Sequence, residues 1–155
     1  MIKCGITGSS GVLGRRIIKI LPYKFYKYKG DITDKNEVPV LTPMGLDKNN
    51  QSYNINADIA AGAVAKALSS RRLLLMTNVE GVYDENKKLI TEISADQAAE
   101  MIKNETINGG MIPKINTCID AVSNGVRGVV IIDGRKSHSI LHEIFSDKGA
   151  GTLIR

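Results

Sequence analysis

The chain has no tryptophan, only two cysteines and only 5% aromatic residues among its 155 positions. Cys4 and Cys118 are far apart and neither belongs to a C-x-x-C pair, which argues against a disulfide framework or a zinc site and fits a reducing compartment. No apolar run approaches the roughly 18 to 20 residues that a membrane span needs, and the N-terminus has no apolar signal-peptide core. We therefore expect a cytoplasmic protein with no membrane partner.

The residues that are present indicate a soluble globular protein, with 43% hydrophobic and 24% charged positions spread along the chain. The net charge of +5 is uneven, because residues 1–35 carry eight basic and two acidic side chains and the rest carries 13 basic and 14 acidic ones. Lysines alternate with aromatic residues over 23–29, a pattern more typical of a half-buried strand than of a surface that stacks single-stranded nucleic acid. We expect no nucleic-acid partner and predict two domains, 1–36 and 37–155.

Strand and helix patterns alternate along the chain, which predicts an α/β fold, a three-layer α/β/α sandwich with a mostly parallel sheet. The apolar runs 73–77 and 129–132 are typical of buried parallel strands. Ser94 and Gln97 match a capping box ahead of a helix over 95–104. We also predict a strand at 38–42 and a hairpin tip at 47–50. Helices are predicted over 57–68 and from 112 to a stop at Gly125. A last helix is predicted to begin after Ser137, as its cap, and to end at Phe145.

The first glycine-rich segment lies between a predicted strand and a predicted helix, where glycines let a backbone approach a pyrophosphate closely. Over residues 1–35 it resembles the start of the extended short-chain dehydrogenase/reductases of the epimerase type. The resemblance implies a Rossmann-like β-α-β start that binds NAD(P) through Gly8, Gly11 and Gly14. The Tyr-x-x-x-Lys pair of that family has no counterpart at the family's place in the chain, and a plain strand-to-helix turn is the alternative.

A second set of motifs runs from residue 37 to the C-terminus. These motifs resemble, in order and approximate spacing, the amino-acid kinase family and within it the nucleotide-binding C-terminal half of the acetylglutamate kinases. The resemblance implies an amino-acid-kinase-like α/β fold and phosphoryl transfer from ATP to a carboxylate. The motifs are residues 38–45, 53–58, 75–84, 109–114, 132–135 and 142–152.

The resemblance also implies roles for individual residues. Lys114 is the lysine that stabilises the transition state, as phosphoryl transfer requires cations against its developing charge. Asp58 is the carboxylate that orients catalytic lysines, and Asn54 and Asn56 belong to the substrate loop. For Asn56 the alternative is that it only fixes that loop. On the residues alone, Asp58 is equally an N-cap and Lys114 a solvated surface lysine.

The nucleotide site is predicted at the end of the buried strand 73–77, since α/β sheets bind nucleotides at the carboxyl ends of their strands. The implied cofactor is ATP with Mg²⁺, which keeps water and phosphate ligands, so we expect no metal site of the protein's own. His138, His142 and Glu143 resemble the region that binds arginine in feedback-inhibited members, and we do not expect the two histidines to bind a metal. The predicted nucleotide-binding residues are Thr77, Asn78, Gly81, Tyr83, Gly110 and Met111.

Residues 1–37 lack clear counterparts of the family's second glycine-rich loop and of its substrate-gripping arginine, and match its Lys-x-Gly-Gly loop only loosely. We therefore predict the ATP-binding part of an enzyme of arginine biosynthesis, one that phosphorylates the side-chain carboxylate of N-acetylglutamate, with low or no turnover. The alternatives are an NAD(P)-binding module of the epimerase/reductase type and a non-catalytic interaction fragment. A homo-oligomer stays open.

Overall fold

The computed structural model describes residues 43–49 and 51–155, and the chain divides into two units between Leu68 and Ser69. The predicted strand, glycine loop and helix of residues 1–36 lie outside the described residues, as do Gly8, Gly11, Gly14 and the predicted strand 38–42. The domain boundary at residue 36 therefore stays a prediction.

The first unit contains a hairpin in which β1 (Met44–Leu46) pairs antiparallel with β2 (Ser52–Asn54). Asp47 stabilises the tip, because its Oδ1 accepts hydrogen bonds from the backbone N–H groups of Asn49 at 2.8 Å and Gln51 at 2.9 Å. Such side-chain-to-backbone bonds are the reason that Asp and Asn favour turns. The hairpin tip predicted at 47–50 is thus confirmed for its described residues.

The helix α1 (Ala57–Ala67) follows the hairpin, within one residue of its predicted span. Its N-cap is Asn56, whose Oδ1 accepts from the backbone N–H groups of Asp58 at 3.0 Å and Ile59 at 3.2 Å. These bonds satisfy donors that the first turn of a helix leaves unpaired. The interpretation of Asp58 as the N-cap is therefore wrong, and Asp58 lies inside the first turn.

The second unit holds the main sheet and three helices. Residues 82–83 and 89–90 form a small antiparallel pair of strands beside the main sheet. The elements in chain order are β3 (Leu73–Thr77), β4 (Val82–Tyr83), β5 (Leu89–Ile90), β6 (Glu92–Ile93), α2 (Ala95–Lys103), α3 (Met111–Ser123), β7 (Val129–Asp133), α4 (Ser139–Phe145) and β8 (Gly151–Ile154).

The main sheet has the strand order β3-β7-β8-β6. The outer pairs β3–β7 and β6–β8 are parallel, and only β7–β8 is antiparallel. All five residues of β7 are buried, and because successive side chains point to opposite faces, both faces of the sheet are covered there. The mixed α/β architecture with a mostly parallel central sheet confirms the predicted fold class.

Helices α3 and α4 pack on β7, and α2 packs on α3. The buried face of α3 consists of Ile115, Cys118 and Ala121, each with no exposed surface, at the i, i+3, i+6 spacing of one helix face. No helix among the described residues is long and apolar enough to cross a bilayer.

Two helix starts were predicted from side-chain caps. The structure confirms one of these caps and contradicts the other. The capping box of α2 is confirmed, since Gln97 N–H donates to Ser94 Oγ at 3.1 Å and Ser94 N–H to Gln97 Oε1 at 2.8 Å. The Ser137 cap of α4 is wrong, because α4 begins after His138, which has a left-handed backbone with φ of 61°. The N–H of Ser139 instead donates to the backbone carbonyl of Lys136 at 3.3 Å.

Candidate functional site

The carboxyl ends of β3 and β7 lie side by side, because the two strands are parallel neighbours with Thr77 opposite Asp133. The backbone N–H of Gly134 donates to the carbonyl of Thr77 at 2.8 Å and joins the two loops that leave the sheet there. Thr77 Oγ1 donates to Asn78 Oδ1 at 3.4 Å. Open α/β sheets bind ligands outside the carboxyl ends of their strands, so this edge is the candidate site.

Element lengths predict where α3 begins relative to this edge. The helix packs on β7, the strand that follows it after residues 124–128, and so short a connection favours opposite directions for the two elements. Thirteen helical residues span about 20 Å and the five residues of β7 about 17 Å, so we expect the first turn of α3 to lie level with the end of β7. We call residues 77–83, 109–114 and 133–138 the carboxyl edge.

Two glycines precede α3, and the backbone conformation favours glycine at only one of the two positions. Gly109 has a φ of 55°, the left-handed region that favours glycine. Gly110 has a φ of −67° and no described side chain caps the helix there. A Cβ built at Gly110 meets no described atom within 4 Å. Neither the backbone conformation nor the packing of residues 43–49 and 51–155 therefore requires glycine at position 110, and with respect to those residues the backbone is open to a close approach.

Lys114 follows Gly110 by one helical turn. Residues four apart share a helix face, and helical side chains tilt toward the N-terminus. Lys114 is half-buried, and its position predicts a side chain on the same helix face as Gly110. Met111, in the first turn beside them, is half-buried as well. Gly110, Met111 and Lys114 thus share the start of α3, and Thr77 and Asn78 lie at the end of β3. That these residues form one site stays a prediction.

The loop 77–83 is fixed on β8 through Gly81. A Cβ at Gly81 would overlap Thr152 Oγ1, which accepts a hydrogen bond from the N–H of Val82 at 2.8 Å. Thr152 is fully buried, so this contact is part of the interior. Gly81, predicted as a nucleotide contact, has a packing reason of its own, and Tyr83 follows it on β4.

An acidic side chain at the end of β7 is held by the residue two positions later. Asp133 is nearly buried, with 5% of its side chain exposed. Arg135 donates to both of its carboxylate oxygens, from Nε to Oδ1 at 3.0 Å and from Nη2 to Oδ2 at 2.9 Å. These hydrogen bonds, together with one from the Arg135 backbone, lower the pKa of Asp133 to about 2.

A second charged pair connects the two loops across the edge. Lys136, after β7, forms an ion pair with Glu80, after β3, and Tyr83 Oη donates to Glu80 Oε2 at 3.4 Å. The hydrogen bond and charge of Lys136 lower the pKa of Glu80, and those of Glu80 raise the pKa of Lys136. None of Glu80, Asp133, Arg135 and Lys136 was among the predicted site residues. The signal that could have found them is their position at the end of β7 or within three residues after β3 and β7.

The three remaining predicted site residues lie in the first unit. Asn54 ends β2, Asn56 caps α1, and Asp58 is half-buried in the first turn of α1. The amide oxygen of Asn56 is engaged by the helix, which favours the interpretation that this residue fixes the loop. That the three residues meet Lys114 in one site stays a prediction.

A separate cavity of about 230 Å³ lies beside α4 and β8. Glu143 lines it and accepts from the N–H of Ala150 at 2.8 Å, with Arg72 at 3.9 Å. His142 contacts Ser146 Oγ at 3.1 Å, and neither His142 nor His138 lines the cavity. No group of three side chains suited to a metal ion occurs among the described residues.

Comparisons with known proteins identify the family to which the chain is similar. The chain matches the amino acid kinase family over residues 16–133. It is 59% identical to the acetylglutamate kinase of Pelagibacter ubique over 125 residues, 81% of this chain and 43% of that protein. It is 46% identical to the acetylglutamate kinase of Rhodospirillum rubrum over 145 residues, 94% of this chain and 45% of that protein.

Solved structures show the same fold. The N-acetylglutamate synthase of Neisseria gonorrhoeae, in complex with coenzyme A and L-arginine, superposes with a TM-score of 0.73 at 26% identity and covers 78% of this chain and 28% of its own. The carbamate kinase of Giardia lamblia bound to citric acid gives a TM-score of 0.55 at 22% identity, over 72% of this chain and 35% of its own.

The comparisons bear on the N-terminal segment as well. The match to the Rhodospirillum rubrum enzyme covers 94% of the chain and therefore enters residues 1–36. The resemblance of that segment to short-chain dehydrogenase/reductases is not supported, and neither is NAD(P) as a cofactor. The chain spans less than half the length of the curated relatives that it matches.

Proposed function

Because the chain belongs to the amino acid kinase family, we propose that it is the ATP-binding part of an acetylglutamate-kinase-type phosphotransferase. The reaction is transfer of the γ-phosphoryl group of ATP to the side-chain carboxylate of N-acetylglutamate. Relatives at 59% and 53% identity are acetylglutamate kinases. We expect low or no turnover, since residues 1–37 lack clear counterparts of the family's second glycine loop and substrate arginine.

The observation that carries the proposal is the open backbone at Gly110, one turn ahead of Lys114. The N–H groups and the positive end of the helix dipole at the start of α3 suit a triphosphate. The ammonium group of Lys114 then offsets the negative charge that develops on the transferred phosphoryl group.

Other residues of the carboxyl edge bind the nucleoside in this proposal. Thr77, Asn78, Gly81 and Tyr83 follow β3, and Met111 offers an apolar side chain to the base. Mg²⁺ bound with ATP would supply positive charge against the charge that develops in phosphoryl transfer.

Residues of the first unit have the remaining roles in this proposal. Asp58 is the carboxylate that orients catalytic lysines, Asn54 binds the acyl-amino acid, and Asn56 holds the loop that carries them. A homo-oligomer stays a prediction. No finding among the described residues favours the NAD(P)-binding module or the interaction fragment.

The proposal is tested by titrating the full chain with MgATP and, separately, with NAD(H) while its melting temperature is followed, since a ligand stabilises the state that binds it. MgATP raises the melting temperature and NAD(H) does not. A shift with NAD(H) alone contradicts the proposal. A coupled assay with N-acetylglutamate tests the low turnover, which rates near those of full-length relatives would contradict.

A further inference from the structure

The Glu80–Lys136 pair connects the loops that follow the two parallel strands of the carboxyl edge. Its members are 56 positions apart in sequence and meet only because β3 and β7 are neighbours. Both side chains are accessible, with 40% of Glu80 and 55% of Lys136 exposed. The pair therefore faces the space outside the carboxyl ends of the strands rather than the core.

Lys136 takes its counter-charge from Glu80 rather than from the nearby Asp133. Both carboxylate oxygens of Asp133 accept hydrogen bonds from Arg135, and that carboxylate is nearly buried. Glu80 also accepts from Tyr83 Oη, which keeps the carboxylate in reach of Lys136. An exposed ion pair contributes little to stability, so Lys136 can exchange this partner for another anion at little cost.

We propose that Lys136 is an additional binding group for the phosphates of the nucleotide, and that Glu80 masks it until the nucleotide arrives. This inference rests on the proposed function. Lysine binds phosphate as a flexible point charge, and Lys136 leaves the sheet at the edge where we expect the first turn of α3 to lie. Lys136 therefore strengthens nucleotide binding, and Glu80 weakens it by competing for the same ammonium group.

The experiment measures the dissociation constant of MgATP for the full chain in a double-mutant cycle. Lys136→Gln weakens binding about fivefold, the size expected for one exposed charge-assisted contact. Glu80→Gln, which keeps an acceptor for Tyr83, tightens binding about threefold because the ammonium group is released. In the Lys136→Gln background, Glu80→Gln has no further effect, since there is no longer an ammonium group to release.

The cycle separates masking from simple repulsion between Glu80 and the phosphates. Repulsion acts without Lys136, so a threefold gain from Glu80→Gln in both backgrounds overturns the proposal. Adenosine, which has no phosphate, binds the parent and the Lys136→Gln variant equally well. The matched control is Glu92→Gln, because Glu92 forms an exposed ion pair with Arg155 at 2.5 Å outside the carboxyl edge. We expect this variant to bind MgATP with the affinity of the parent.

The outcomes for the two proposals are distinguishable. If the parent binds MgATP in a manner that depends on Lys114, but Lys136→Gln and Glu80→Gln bind as the parent does, the role of Lys136 is overturned and the proposed function stands. If the parent does not bind MgATP at all, the proposed function is overturned, and the role of Lys136 with it.

Discussion

Two glycines of the second unit have opposite surroundings, one inside the main sheet and one at the start of a helix. At Gly151 on β8, a Cβ would overlap the carbonyl oxygen of Ile131 on the neighbouring strand. At Gly110 on the carboxyl edge, a Cβ meets no described atom within 4 Å. Packing therefore requires glycine at position 151, whereas no contact among the described residues requires it at position 110. The comparison teaches that the proposed nucleotide contact, and not the fold, is what an alanine at position 110 would test.

The largest effect expected from this comparison is the loss of the fold in Gly151→Ala. The added methyl group overlaps backbone on the adjacent strand, which cannot move without breaking the β7–β8 pairing. We expect a destabilisation of about 4 kcal/mol or more, measured as the midpoint of urea unfolding. A variant as stable as the parent would contradict the packing explanation.

The next largest effect is the loss of nucleotide affinity in Lys114→Ala. Removing the ammonium group at the start of α3 weakens MgATP binding by about tenfold or more, the size expected when a charge-assisted contact to phosphate is lost. Calorimetry measures the affinity, and the melting temperature without ligand shows whether the variant is folded. Unchanged affinity in a folded variant would remove Lys114 from the site.

Replacing glycine by alanine at position 110, as at position 151, tests the comparison of the two glycines most closely. Gly110→Ala keeps a backbone conformation that alanine adopts readily, so the stability without ligand stays within about 1 kcal/mol of the parent. The methyl group now stands where the triphosphate approaches, and we expect MgATP affinity to fall about tenfold. If affinity is unchanged, the open space at Gly110 has no bearing on nucleotide binding.

The smallest effect is a change in acid stability through Asp133. Its pKa is lowered from 3.8 to about 2 in the folded chain, so its contribution is present above pH 4 and is lost as the pH falls toward 2. Asp133→Asn therefore flattens the decline in unfolding free energy between these pH values. Glu92→Gln serves as the control, and equal slopes for Asp133→Asn and the parent would contradict the role of the Arg135 contact.

Local signals in the sequence predicted most of the second unit. The apolar runs at 73–77 and 129–132 became neighbouring parallel strands, and Ser94 with Gln97 formed the predicted capping box. The Ser137 cap failed because a backbone bond from Ser139 to Lys136 sets the start of α4. Serine near a helix start is a local preference, and the path of the preceding loop decided against it.

The charged residues of the carboxyl edge were not predicted, because their pairing depends on strand order. Glu80 and Lys136 follow different strands, and only the neighbouring positions of β3 and β7 bring them together. The motif around Lys114 was assigned by resemblance, whereas the open space beside Gly110 is a property of the three-dimensional arrangement alone.

The most direct test of the nucleotide site is a titration of the full chain with MgATP in which the shift of every backbone amide signal is followed by NMR. We expect the largest changes at residues 77–83, 109–114 and 133–136, with much smaller changes in β6 and in the cavity beside Glu143. Changes concentrated around that cavity, or no changes at saturating MgATP, would contradict the assignment of the carboxyl edge as the nucleotide site.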